Sequence, residues 1–239
     1  NNQIQARRRG IFYNLHTGPN VESYTVSNNM IGGISDANES FWDGILMSSL
    51  SDAVGEVIGN IVDGTGISVP SEGLEVWNVN TNAPVHIMGG SVSNTDIGVF
   101  VNNYEGYVSN AGNTDCVIEQ VDLTNNIETG IYVKDSPDNS NGSTVHALIK
   151  DNTSILTNDV SGVGILVEGA DASANIEGNL SSIDGNDVGI LVDEGVATIT
   201  ENSISGNNTG IKFQNGATGI VNKNNIAGNI TFGVENTTG

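Results

Sequence analysis

Apolar and polar residues alternate along this chain in short bursts that return at a near-constant interval. The clearest are Gly164-Ile165-Leu166-Val167, Gly189-Ile190-Leu191-Val192 and Gly210-Ile211-Lys212-Phe213, which begin 25 and 21 residues apart. Within each burst the apolar side chains stand two apart, the period of a β-strand that buries one face. Val and Ile favour that pleated, half-buried surface. Strands recurring in this way, each opened by a glycine, predict the stacked turns of a solenoid, in which each turn contacts only its neighbours.

Earlier turns carry the same signature less regularly. Gly44-Ile45-Leu46-Met47, Gly98-Val99-Phe100-Val101 and Gly130-Ile131-Tyr132-Val133 end three of them. Asn2, Ile4 and Gly10 occupy the offsets of Asn202, Ile204 and Gly210, which places Ile11 and Tyr13 inward and Phe12 outward. The third turn fits two registers, one on Gly66-Ile67-Ser68-Val69 and one on Gly73-Leu74-Glu75-Val76, and the sequence does not separate them. Each opening glycine is expected to supply a positive φ or a tight corner. Asn186, Asn207 and Asn229, just before the strands, are expected to tolerate similar turn geometry. Three stretches read as loops or excursions: 14–24 around Thr17-Gly18-Pro19-Asn20, 70–84 with Trp77, which a thin coil does not easily hold, and 135–144 with Pro137 and Gly142.

Residues 202–211 carry the motif Asn-x-Ile-x-Gly-Asn-x-x-Gly-Ile almost complete. It resembles the right-handed parallel β-helix repeats of the pectate-lyase-like superfamily, and the resemblance extends over most of the chain, most strongly over 179–233. What it implies is an all-β fold: a right-handed parallel β-helix of about nine turns, roughly 40 Å long at ~4.8 Å per turn, forming one domain over 1–239. Because Asn1 falls inside a repeat and no cap precedes Gly239, the sequence reads as a segment of a longer chain. This architecture serves lyases, hydrolases, epimerases, adhesins and fibre proteins alike, so function has to be argued from a site.

Composition narrows the partners. Aromatic residues make up 5% of the chain and glycines number 31, as suits a coil with a thin interior. The 28 acids against 7 bases give a net charge of −21, which argues against nucleic acid and against anionic membranes. No run approaches the ~18 apolar residues of a membrane-spanning helix, so membrane insertion is not expected. Cys116, the one cysteine, cannot form an internal disulfide and reads as a small buried apolar residue. The basic run Arg7-Arg8-Arg9 is expected to meet acids on a neighbouring turn. The sequons at Asn152, Asn207 and Asn229 are what a chain rich in Asn, Ser and Thr produces by chance.

The resemblance raises two enzymatic readings. Pectate lyases of the superfamily use a basic residue, usually Arg, beside acidic Ca²⁺ ligands; here arginine occurs only at 7, 8 and 9. Polygalacturonase-like hydrolases carry Asn-Thr-Asp, an Asp pair one turn on, Gly-His-Gly and a basic tripeptide. Asn94-Thr95-Asp96 matches the first element, but Ile118 and Glu119 stand where the pair is expected, and the other two elements are missing. Glycoside hydrolysis needs two positioned carboxylates, so Asn94-Thr95-Asp96 reads as structural. His16, His86 and His146 have no partners at metal or triad spacing; His86 and His146 are expected to occupy related outward positions.

Two columns remain. Four residues past each glycine come Lys134, Glu168 and Asp193, so the carboxylates of Glu168 and Asp193 would sit on adjacent turns. Nothing in the sequence requires a cofactor, but such a pair would suit Ca²⁺, which takes hard oxygen ligands; a solvated acidic edge is the alternative. The outward residue of each Gly-Ile-x-Val reads Phe12, Leu46, Phe100, Tyr132, Leu166 and Leu191. An apolar outer strip marks an interface unless loops such as 70–84 and 135–144 cover it. It would meet another protein chain, in self-assembly or within the parent protein, or stack sugar rings on Phe100 and Tyr132. The expected function is therefore a structural or adhesive solenoid module of a large secreted or cell-surface protein, bacterial in origin, that binds a partner chain or a glycan. The alternative is a polysaccharide lyase or glycoside hydrolase of the superfamily.

Overall fold

The computed structural model describes residues 2–14, 23–36, 38–48, 54–77, 84–103, 113–136, 142–180 and 183–238. Its strands form three wholly parallel sheets, here called A, B and C, with nine, nine and eight strands. The chain visits A, B and C in turn and then returns to A one rung higher. Rung 1 contains Gln3–Ala6, Arg9–Asn14 and Ser23–Ser27; rung 8 contains Ser203–Ser205, Thr209–Gln214 and Thr218–Asn222; rung 9 contains Asn225–Ala227 and Phe232–Thr237. This is a parallel β-helix of about nine turns. The third-turn ambiguity is resolved in favour of Gly73: Ser71–Trp77 is the sheet B strand, with Leu74 beside Ile45 and Val99. Gly66 instead makes a left-handed corner at φ +85. Stretch 70–84 is thus not an excursion up to Trp77. The turn at 17–20, His16, and residues 78–83 and 137–141 lie outside the described residues.

Columns of like residues fill the interior. In sheet B, Ile45, Leu74, Val99, Ile131, Ile165, Ile190 and Ile211 stack in register and are buried. Cys116 is a buried free thiol in sheet C, as the sequence suggests. Burial pushes its pKa well up, which keeps it a thiol and unreactive.

The opening glycines do not have positive φ. They are glycine because the rungs approach too closely there. A Cβ on Gly130 would lie 2.6 Å from the Gly164 carbonyl oxygen, one on Gly164 2.5 Å from that of Gly189, and one on Gly189 2.6 Å from that of Gly210. The left-handed corners fall elsewhere, at Asn28, Gly59, Gln120, Asp151, Gly178, Glu201 and Lys223, each immediately before an inward-turning residue.

Those inward-turning residues are mostly asparagines, and they form a ladder. The backbone N–H and Nδ2 of Asn152 both donate to Oδ1 of Asn179, those of Asn179 to Asn202, and those of Asn202 to Asn224, at 2.8–3.1 Å. Nδ2 also caps a strand carbonyl of the preceding rung, as Asn179 does with Ile149. A second ladder runs through Asn186, Asn207 and Asn229 at the next corner. These asparagines are not merely tolerant of turns; they satisfy backbone groups that the corner removes from the sheets. The sequons at Asn152 and Asn207 belong to the ladders and are buried.

Candidate interaction surface

The outward column predicted along sheet B is continuous through all nine rungs. In order it reads Phe12, Leu46, Glu75, Phe100, Tyr132, Leu166, Leu191, Lys212 and Glu235, each in register with the next. Glu75, which the unresolved register concealed, divides it. Phe12 is 47% exposed, but Leu46 is fully buried, as is every residue of Trp42–Ser48. Leu46 therefore contributes nothing to an exposed strip. Phe100, Tyr132, Leu166 and Leu191 are half-buried and follow one another without interruption. Four positions at the ~4.8 Å strand spacing span about 14 Å.

The two rings of this strip lie against each other, with centroids 5.1 Å apart and planes 29° apart. Their facing surfaces are thus taken. Tyr132 is held further by its hydroxyl, which donates to Glu168 at 2.5 Å, and by the Lys134 ammonium 5.4 Å from the ring centroid. Burial, with Glu168 close by, pushes its phenol pKa well up. A sugar ring that stacks on an aromatic needs an open face, and the packing of Phe100 against Tyr132 takes up one face of each ring.

Glu168 and Asp193 do lie on adjacent rungs, since the Gly169 N–H donates to the Asp193 carbonyl at 2.9 Å. Their carboxylates turn to different partners. Glu168 takes the Tyr132 hydroxyl and stands 3.8 Å from Lys134. Asp193 accepts from Gln214 at 2.9 Å and Asn215 at 2.7 Å. Among the described residues no group of three or more His, Cys, Asp or Glu side chains could hold a metal ion.

A second constellation occupies the outer face of sheet B in rungs 1–3. Arg9, Asp43 and Glu72 are neighbours in register. Arg9 Nε donates to Asp43 at 2.8 Å, and the Asp43 side chain is 1% exposed. Burial, with Glu75 and Asp43 adding repulsion, pushes the Glu72 pKa up to about 9. Burial likewise pushes Glu75 up to about 8, against a hydrogen bond from Asn102. Asp43 is also raised by burial, with Arg9 opposing. At neutral pH Glu72 holds its proton and can share it with Asp43. Buried as it is, Asp43 has no route to a substrate, so the group fastens rungs together. The one sequence signal for it was the basic run, whose members each meet an acid of rung 2 or of the turn before its sheet B strand: Arg7 with Asp36, Arg8 with Glu39 and Arg9 with Asp43.

The remaining candidates make contacts within the coil. Asn94 forms a left-handed corner at φ 59. Thr95 is buried and donates to Asn126 at 2.8 Å. Asp96 accepts from the Ser71 N–H at 2.8 Å. Its neighbours one rung on are Ile127 and Glu128; Ile118 and Glu119 lie in sheet C instead. His86 and His146 share the outer face of sheet C but not a column: His86 aligns with Val117 and His146 with Asp115. Each lies beside an acid, Glu119 at 3.0 Å and Asp115 at 2.9 Å respectively.

No family model matches the chain, and no curated protein or solved structure matches it either.

Proposed function

We propose that this chain is a structural, adhesive solenoid module of a large secreted or cell-surface protein of bacterial origin, related to the right-handed pectate-lyase-like β-helices. It binds another protein chain side-on through the outward column of sheet B. The observation that carries this reading is the unbroken, half-exposed run Phe100–Tyr132–Leu166–Leu191 on an otherwise strongly acidic molecule. Apolar side chains aligned along a rigid rod lose little entropy on docking, and a flat strip suits a strand or a second sheet better than a small molecule. The net charge of −21 suits solubility in a crowded exterior and repels acidic polymers.

An array of secreted and surface proteins, probed with the purified chain and with its Phe100→Ser/Tyr132→Ser variant, tests the reading. Removing two half-buried rings should weaken side-on binding by about 2–3 kcal/mol, roughly a hundredfold in Kd. Equal binding by both forms, binding confined to a glycan array, or release of reducing ends from polysaccharides would each overturn it.

A further inference from the structure

The outer face of sheet B is complementary to its own reverse. Phe100, Tyr132, Leu166 and Leu191 stand on four consecutive rungs, with Glu75 just before them in the column and Lys212 just after. An acid therefore closes the apolar run at one end and a base closes it at the other. The midpoint of the run falls between Tyr132 and Leu166. Two residues further along each strand lies the next outward column, and it changes sign at the same place, from Lys134 to Glu168. Those two side chains are 31% and 38% exposed, so both can reach a docked surface.

We infer, building on the side-on reading, that the partner is a second copy of this chain: two rods pair face to face through sheet B, antiparallel, about a two-fold axis between the Tyr132 and Leu166 rungs. Such an axis runs along the strands. It reverses the order of the rungs and keeps the strand direction, so each outward column faces itself in reverse. Tyr132 then meets the partner's Leu166, and Phe100 meets the partner's Leu191. Glu75 meets the partner's Lys212, and Lys134 meets the partner's Glu168. Every pairing occurs twice. Apolar side chains cover one another at the centre, and each charge faces its opposite. Within one copy Lys134 stands 3.8 Å from Glu168, and Lys212 stands 3.6 Å from Glu235. Pairing brings each ammonium a second carboxylate. Burial raises the Glu75 pKa to about 8, and an arriving ammonium favours its charged form.

Other arrangements of the same face fail on charge. With the rods parallel, Glu75 meets Glu75 and Lys212 meets Lys212. An antiparallel pair centred on the Tyr132 rung sets Lys134 against Lys134 and Glu75 against Leu191. One centred on the Leu166 rung sets Glu168 against Glu168 and Phe100 against Lys212. Like charges brought together across an interface cost affinity. The contact runs from rung 3 to rung 8, and so stops short of the rung 2 strand Trp42–Ser48, which is buried along its whole length. Six rungs at ~4.8 Å and six-residue strands at ~3.3 Å per residue make a face of roughly 29 by 20 Å, so the pair buries about 1,000–1,200 Å² in total, the low end of specific interfaces. Pairing is therefore reversible.

Sedimentation of the purified chain from micromolar to millimolar concentration tests this, in about 0.15 M salt to screen the net repulsion between two acidic rods. A monomer–dimer equilibrium is expected, and small-angle scattering should show the cross-section thickening at nearly constant length. Lys134→Glu and Glu168→Lys, each alone, set like charges together across the axis and should raise the dimer Kd roughly tenfold or more. Mixed one to one, the two variants should form a heterodimer, because each reversed charge then faces its opposite. That recovery also shows that both variants are folded. The double variant Lys134→Glu/Glu168→Lys should pair with itself as the unaltered chain does. A wild type that stays monomeric, a rod that lengthens, single reversals that pair undiminished, or a mixture that fails to recover pairing would each overturn the proposal. A monomer that still binds a foreign chain through Phe100 and Tyr132 would overturn self-pairing alone and leave the side-on reading in place. A dimer indifferent to Phe100→Ser/Tyr132→Ser would overturn both.

Discussion

At the scale of the residue, two side-chain types fix the repeat, and for reasons unlike those of an ordinary turn. Glycine opens each sheet B strand because the next glycine's carbonyl fills the place of its Cβ. Asparagine turns inward at most corners of the two ladders because one short amide can accept from the rung below and donate to the rung above. The ladders predict a graded cost. Asn179→Ala leaves the buried Asn152 N–H and Nδ2 without their acceptor and removes a donor from the Ile149 carbonyl. Loss of buried, satisfied polar pairs costs about 1–3 kcal/mol, and denaturant melts should show it. Asn224→Ala lies at the exposed end, where water replaces the lost acceptor, and should cost less than half as much. Equal costs would mean that the ladder is ornament and that the strand bonds alone hold the corners. Gly90 and Val121, which stand at consecutive ladder positions in rungs 4 and 5, already show that the asparagine row can be interrupted; at Gly90 a Cβ would meet the Asn60 backbone.

At the scale of the element, the Arg9–Asp43–Glu72–Glu75 group ties the sheet B strands of rungs 1–3 and makes them sensitive to pH. Glu72 and Glu75 titrate near 9 and 8 in the folded chain against an ordinary 4.5. Between those values the folded state holds protons that the unfolded state has released, so stability is greatest at the acid end and falls as pH rises through about 8–9. Glu119 has the opposite sign: the Lys150 ammonium holds its carboxyl down, and its contribution is lost only as pH falls through the acid range. Thermal melts from pH about 5 to about 9 should show a declining Tm, and Glu72→Gln should flatten the decline and raise Tm at the alkaline end. An unchanged slope in that variant would mean that water reaches Glu72 and that the carboxyl is ordinary. The strands themselves were legible in the sequence because period-two burial writes itself into Gly-Ile-x-Val. The acid group was not, because Glu72 and Glu75 belong to the one turn with two equal registers, and because proximity between rungs depends on corner lengths that vary. The burial of Leu46 was hidden for a related reason: an outward column says which side a residue faces, not whether anything covers that side.

At the scale of the whole molecule, the charge has a definite arrangement. Each of the seven bases sits next to an acid 22–34 residues away in sequence: the three arginines in the first turns, then Lys134 with Glu168, Lys150 with Glu119, Lys212 with Glu235 and Lys223 with Glu201. Every base is thereby spent on fastening one turn to another, which leaves an excess of acids with no base beside them. Exposed pairs contribute about 0–1 kcal/mol each and weaken with salt. Repulsion among the remaining carboxylates is screened by the same salt, over a Debye length of about 10 Å at 0.1 M, roughly two turns of the coil. The unpaired acids outnumber the pairs, so repulsion dominates and Tm should rise as sodium chloride is raised from low to physiological strength. A falling Tm would mean that the pairs between turns outweigh the repulsion. Calcium adds a sharper comparison. The Glu168 and Asp193 carboxylates are each engaged by the protein's own donors, so calcium and magnesium chloride at equal ionic strength should shift Tm equally. A rise specific to calcium would show that the ion can displace Lys134, Gln214 and Asn215 and draw the two carboxylates together.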